Sequence, residues 1–225
     1  MSRPGVLFDV DGTLVDTTYL HTEAWWEGLR QHGREVPMAE IHRAIGMGSD
    51  KLLDHLLGTD RDHSGDGEIR SAHDTLYATW WERLRPLPGA TELLHAVAAR
   101  GLAVVLATSA REVELTMLRR LVRSDDVIAA ATSSADAAQS KPAPDILQAA
   151  LDQSDVDPHR AVFVGDSVWD VQAAAKLDIP CIGLTCGGTS GAELAAAGAV
   201  AIYDDPADLL ANLDESAIAG IAATL

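Results

Sequence analysis

The sequence predicts an α/β protein: a doubly wound, Rossmann-like parallel sheet with a helical domain inserted after its first strand. Three observations carry that expectation. From residue 90 onward, short and fully apolar runs alternate with helical patterns, the mark of parallel strands covered on both faces. A further run of the same kind, Val6-Leu7-Phe8, stands alone near the N-terminus. The block from 16 to 85 between them shows helical periodicity and no convincing strand. The expected division is therefore a core of residues 1–15 and 86–225 and a helical domain of residues 16–85, with linkers near Val15–Asp16 and Arg85–Gly89.

The first strand runs into Asp9-Val10-Asp11-Gly12-Thr13. Asp16-Thr17-Thr18 reads as a helix N-cap, and Tyr19 to His32 as a helix stopped by Gly33. His21 and Trp25, four apart, share one face of it, while Leu20, Ala24 and Leu29 mark a neighbouring stripe. A short helix follows from Met38 to Ile45. Then come the turn Gly46-Met47-Gly48, a cap at Ser49, and a helix carrying Leu52, Leu53, Leu56 and Leu57 up to Gly58. Thr59 to Gly67 reads as an exposed loop. Glu68 opens a long helix with Ile69, Ala72, Leu76, Trp80 and Leu84 on one side and Pro86 at its end. Trp80 and Trp81 read as packing residues.

In the second part, helices are expected over Ala90–Arg100, Glu112–Val122, Asp145–Leu151, Val168–Leu177 and Ala192–Ala197. Strands are expected over Leu102–Ala107, Val127–Ala129, Ala161–Val164, Pro180–Leu184 and Val200–Tyr203.

The net charge of −17 disfavours nucleic acid as a partner, because so acidic a surface repels phosphate backbones. The sequence holds no run of eighteen apolar residues and no signal-peptide pattern, so a cytoplasmic protein with no membrane partner is expected. Two cysteines, Cys181 and Cys186, lack the spacing of a zinc site or a disulfide framework and read as reduced thiols.

Chemistry is expected where the strands end, since open parallel sheets bind ligands outside the carboxyl ends of their strands. Asp9 and Asp11, at i and i+2 of one strand, point to one face. Two carboxylates held side by side raise each other's pKa or take up a cation, and a hard divalent ion such as Mg2+ suits oxygen donors. The second strand ends in Thr108-Ser109 at a helix N-terminus, a place that accommodates anions. The third leads to Ser140-Lys141-Pro142, and the fourth ends in Gly165-Asp166-Ser167-Val168-Trp169-Asp170. Taken singly, Thr108 also reads as a cap, Lys141 as a surface lysine, and Asp166 and Asp170 as first-turn acids.

In this order the four pieces resemble the motifs of the haloacid dehalogenase superfamily, and the set is similar to its phosphoglycolate phosphatase and beta-phosphoglucomutase subgroup. A helical insertion at this point resembles the family's cap. The resemblance implies phosphoryl transfer through an aspartyl-phosphate, with Asp9 as nucleophile and Asp11 as acid–base. It implies that Thr108 and Lys141, with the backbone N–H groups of Val10 and Ser109, hold the phosphoryl oxygens. Mg2+ would be held by Asp9 and Asp166 and by the carbonyl of Asp11, with Asp170 either ligating through water or orienting Lys141.

The expected function is a Mg2+-dependent phosphatase acting on a small phosphorylated metabolite, as a monomer or homodimer. A phosphomutase and a catalytically silent binding protein are the alternatives. A second aspartate argues against dehalogenation, which needs no acid for its leaving group. The cap residues His21 and Trp25, with Ser109 and Lys51, are the candidate substrate contacts. Where the mutases carry an arginine, the turn Gly46-Met47-Gly48-Ser49 has none, and Lys51 is the cation near it in sequence.

Overall fold

Strand β1 (Arg3–Phe8) occupies the middle of a parallel sheet in a computed structural model that describes residues 2–222. Its neighbours are β2 (Ala103–Ala107) and β4 (Val156–Gly165). Outside these lie β3 (Ile128–Thr132), β5 (Cys181–Leu184) and β6 (Ala201–Tyr203), giving the six-stranded order β3-β2-β1-β4-β5-β6. The chain winds outward in both directions from β1, as the alternation of apolar runs and helices predicts.

Side-chain alternation along the strands feeds two cores. Val6, Phe8, Val104, Leu106, Val162 and Val164 face one way, against α5 (Ala90–Ala99), α6 (Glu112–Val122), α10 (Pro206–Ala211) and α11 (Ala217–Ala222). Leu7, Ala103, Val105, Ala161 and Phe163 face α7 (Asp145–Ser154), α8 (Val168–Ala175) and α9 (Gly191–Ala197). Apolar residues on both faces explain why the strands read as continuous hydrophobic runs.

Residues between β1 and β2 form α1 (Thr18–Gln31), α2 (Met38–Ala44), α3 (Ser49–Leu57) and α4 (Asp66–Ala78). Trp25, Leu29, Ile41, Ala44, Leu52, Leu53 and Ile69 make a buried cluster of their own there. The chain enters and leaves this block side by side. Asp16 N–H donates to Arg85 O at 3.1 Å, and Leu87 N–H to Leu14 O at 2.9 Å, so the two linkers zip into a short antiparallel ribbon.

Several boundaries differ from expectation. The helix expected to reach Leu84 ends at Ala78, where Thr79 Oγ1 donates back to Leu76 O at 2.7 Å. A single 3-10 turn, Trp81–Arg83, then redirects the chain towards the ribbon. Trp80 and Trp81 pack on the sheet core, as expected. Ser49 is the first helical residue and Gly48 the cap, a position where a side chain would run into Ser140. Thr17 stands at the α1 cap position, but its hydroxyl accepts from Gly12 N–H at 3.1 Å instead of from the helix. Strand β3 runs to Thr132 rather than Ala129. Its Ala-Ala-Ala stretch carries little intrinsic strand signal, and pairing with β2 extends it. Helices α10 and α11 were not expected at all. Among the described residues, no helix is long and apolar enough to cross a membrane.

Candidate active site

Register brings the acidic strand ends together. Phe8 lies opposite Leu106 on β2 and Val164 on β4, so the next residues of all three strands emerge at one edge of the sheet. Asp9 N–H still donates to Val164 O at 2.9 Å, after which the chain turns at Gly12, whose φ of 75° is left-handed. A Cβ at Gly12 would meet both Thr18 and the carboxylate of Asp166.

Asp9 is buried, and its Oδ1 accepts from Lys141 Nζ at 2.6 Å. The same ammonium lies 2.8 Å from Asp170 Oδ1 and is wholly buried. Asp170 is fixed from its other side: Ser167 N–H and Oγ donate to its Oδ2 at 3.0 and 2.6 Å, and Ser167 Oγ accepts from Asp170 N–H in return. This capping box makes Asp170 a helix-terminus acid whose other oxygen pairs with Lys141. Asp166 accepts from Thr13 Oγ1 at 3.0 Å, and no basic side chain pairs with it among the described residues.

Asp9, Asp166 and Asp170 each offer an oxygen within 4.8 Å of the others. Burial pushes the Asp9 carboxyl up to about 7; Lys141 opposes this, and Asp170 and Asp11 add to it. Burial also pushes Asp166 well above the usual carboxylate range, reinforced by the charges of Asp170 and Asp9. Three buried carboxylates thus have one ammonium among them, paired with Asp9 and Asp170, and the set is short of positive charge and built of oxygen donors. A hard divalent cation fits that deficit.

Asp11 stands in different surroundings. Its Oδ1 lies 3.3 Å from His21 Nε2, and its Oδ2 accepts from Thr108 Oγ1 at 3.4 Å. Its pKa is lowered: burial acts the other way, and the hydrogen bond and charge of His21 outweigh it. His21, raised by that same partner against its own burial, also lies 3.6 Å from Glu114 Oε1. Thr108 is not the cap of α6, a position held by Arg111. Its hydroxyl instead accepts from Ala110 N–H at 3.0 Å, closing a tight turn at the strand end.

Asp9, Asp11, His21, Trp25, Thr108 and Ser109 all line one cavity of about 380 Å³ between the sheet edge and the inserted helices. Ser109 Oγ is buried there and has no partner among the described residues. Lys51 does not line it; its ammonium donates to Gln139 Oε1 at 3.1 Å at the rim between the insertion and the core. The cavity's cations are Arg70 on α4 and Arg111 ahead of α6, neither singled out by sequence reasoning. Buried Glu114, pushed up to about 7 by burial, and His73 were also missed. Their only sequence signal is a polar residue on an otherwise apolar helix face.

Fold and site define an α/β protein whose acidic sheet edge is overlaid by a helical insertion. A model of the haloacid dehalogenase-like hydrolases matches residues 4–178, and the chain belongs to that family. It is 31% identical over 175 residues to a phosphoglycolate phosphatase of Nitrosospira multiformis, covering 75% of this chain and 77% of that one. A phosphoglycolate phosphatase of Rhodospirillum rubrum is 31% identical over 217 residues, 91% of this chain and 88% of its own. Among solved structures, a hydrolase from Pseudomonas syringae superposes with a TM-score of 0.89 at 32% identity, covering 95% of this chain and 98% of that one. A beta-phosphoglucomutase from Clostridium difficile has a TM-score of 0.80 at 17% identity, covering 95% and 96%, a likeness of fold alone.

Proposed function

We propose that the protein is a phosphatase that hydrolyses a small phosphate monoester with Mg2+, through an aspartyl-phosphate on Asp9. The observation that carries this reading is the unequal treatment of two neighbouring carboxylates. Asp9 faces Lys141 inside the acidic triad, whereas Asp11 faces His21 and Thr108. Lys141 opposes the burial that protonates Asp9 and favours its ionised, nucleophilic form, while Asp11 stands apart from that cluster and beside His21, placed to exchange protons.

Asp9 attacks phosphorus in line with the leaving oxygen, forming an acyl phosphate. Asp11 passes the proton it shares with His21 Nε2, 3.3 Å away, to the departing alkoxide and takes one back from the water that cleaves the intermediate. Lys141, Thr108 and Ser109 hold the phosphoryl oxygens, where charge accumulates. Asp170 keeps the Lys141 ammonium aimed at Asp9. The side chains of Asp9 and Asp166 and the carbonyl of Asp11 would hold Mg2+, which supplies charge neutralisation when bound.

Residues 16–85 act as a cap that closes over the core formed by 1–15 and 86–225 and selects the substrate. The separate apolar cluster, the zipped ribbon and the cavity walls contributed by α1, α3 and α4 support that role. The relatives' names make phosphoglycolate the first candidate substrate, and Arg70 and Arg111 on the cavity wall suit an anionic tail. The test is phosphate release from 2-phosphoglycolate, hexose phosphates and p-nitrophenyl phosphate, each with Mg2+ and with EDTA. Release that requires Mg2+ is expected. No release from any ester, or conversion of a hexose 1-phosphate into its 6-phosphate instead of free phosphate, overturns the proposal.

A further inference from the structure

Behind Asp11 a chain of polar side chains leaves the core, passes through two cap helices and returns. Asp11 Oδ1 lies 3.3 Å from His21 Nε2, and His21 Nδ1 lies 3.1 Å from His73 Nε2. His73 Nδ1 lies 3.0 Å from Asp74 Oδ1, and Arg111 Nη1 reaches Asp74 Oδ2 at 2.9 Å. Aromatic rings hold the two imidazoles in place. Tyr77 stacks on His21 with centroids 3.8 Å apart, Trp25 stacks on His73 at 4.1 Å, and the imidazole planes differ by 14°.

Donor and acceptor roles follow from the ends inward. A carboxylate only accepts, so His73 Nδ1 carries the hydrogen that faces Asp74. Burial drives His73 down to about 4, which leaves the ring neutral and its Nε2 with a free lone pair. With His73 neutral, His21 Nδ1–H donates to His73, and the single proton between His21 Nε2 and Asp11 Oδ1 rests on either partner. Burying two imidazoles in contact costs desolvation that an apolar pair would avoid. Packing alone gives no reason for that pair.

We propose that His73, its tautomer set by Asp74, is a positioning residue for the acid–base step, its Nε2 holding the His21 ring so that His21 Nε2 addresses Asp11. Because His21, His73 and Asp74 belong to the insertion while Asp11 and Arg111 belong to the core, the chain is complete only when α1 and α4 sit over the sheet edge. Glu114 also faces His21, from α6, and the stacked Tyr77 closes the other side. This inference rests on the reading of Asp11 as acid–base.

The test compares kcat/KM of wild type, His73→Ala, His73→Gln and Asp11→Ala on two esters. One is whichever of 2-phosphoglycolate and the hexose phosphates turns over fastest; its alkoxide must be protonated as it leaves. The other is p-nitrophenyl phosphate, whose phenolate leaves without a proton. His73→Ala is expected to slow the alkyl ester about ten- to hundredfold, part of the roughly 10²–10⁴ that general acid–base catalysis supplies, and to slow the aryl ester far less. His73→Gln, whose Oε1 can accept from His21 Nδ1–H, is expected to recover most of the loss. Equal losses on both esters, no loss on the alkyl ester, or a Gln variant as slow as the Ala variant overturns the inference. Asp11→Ala at the wild-type rate on the alkyl ester overturns the acid–base reading beneath it. A slow Asp11→Ala beside an unimpaired His73→Ala overturns this inference alone.

Discussion

Replacing Lys141 with methionine removes the one ammonium among the buried carboxylates and keeps most of the side chain's length. Its Nζ lies 2.6 Å from Asp9 and 2.8 Å from Asp170. The lysine's pKa is raised: burial works against that, and the charges of Asp170 and Asp9 outweigh it. Its own protonation therefore does not limit that contribution at any pH below the ordinary lysine range. Breaking a buried ion pair by deleting one partner costs about 3–5 kcal/mol, and in a chain of this size that lowers Tm by about 6–20 °C.

The loss also depends on pH. Asp9, held at about 7 chiefly by burial, loses the strongest influence that lowers it. A carboxyl with a raised folded pKa withdraws stability as pH climbs from its ordinary value of 3.8 towards the folded one, by up to about 1.4 kcal/mol per pH unit. The deficit of Lys141→Met should therefore be greatest near pH 7.5 and shrink towards pH 5, where the carboxyls bind protons. Urea unfolding of both proteins in EDTA at the two pH values measures it. A deficit below about 1 kcal/mol near pH 7.5, or one that grows towards pH 5, would refute the reasoning.

Two further changes probe the same edge of the sheet. Saturating Mg2+ should raise the wild-type Tm, by an amount equivalent to about 2.7 kcal/mol at a hundred times its dissociation constant, and Asp166→Asn should abolish most of that shift. An equal shift in the variant would remove Asp166 from the metal site. At Gly187 an added Cβ would overlap the Asp166 carboxylate, so Gly187→Ala should weaken Mg2+ binding by calorimetry while the sheet core stays folded. Unchanged affinity would show that Asp166 can move aside freely.

The sheet was legible because its strands are buried on both faces: Val104-Val105-Leu106 and Val162-Phe163-Val164 need no alternation to be recognised. The acidic edge was legible for a related reason, since Asp9, Thr108 and Asp166 each directly follow a strand, while Lys141 and Asp170 come further along the chain. Thr108, Lys141 and Asp170 were ambiguous one at a time and became clear only as a set. Strand β3 was hard to delimit because alanine has weak strand preference and Thr132 is buried only through its neighbours. The C-terminal helix α10 did carry a signal, Asp205 ahead of Pro206, and Asp205 Oδ1 does accept from Asp208 N–H at 2.9 Å. His73, Asp74, Arg70 and Arg111 were illegible for another reason. They meet the site only through the packing of α4 and α6 against α1 and the sheet, and no local spacing records that. His21 and Trp25 show the contrast. Their four-residue spacing correctly places both on one helix face, yet says nothing of the second imidazole against which they lie.

The claim on which the rest depends is that Asp9 carries the phosphoryl group. Rapid acid quench during turnover, followed by proteolysis and mass spectrometry, tests it directly. The expected result is a phosphoryl increment on the peptide containing Asp9, with neither adduct nor phosphate release in Asp9→Asn. Turnover at the wild-type rate in Asp9→Asn, or an adduct on another residue, would contradict it.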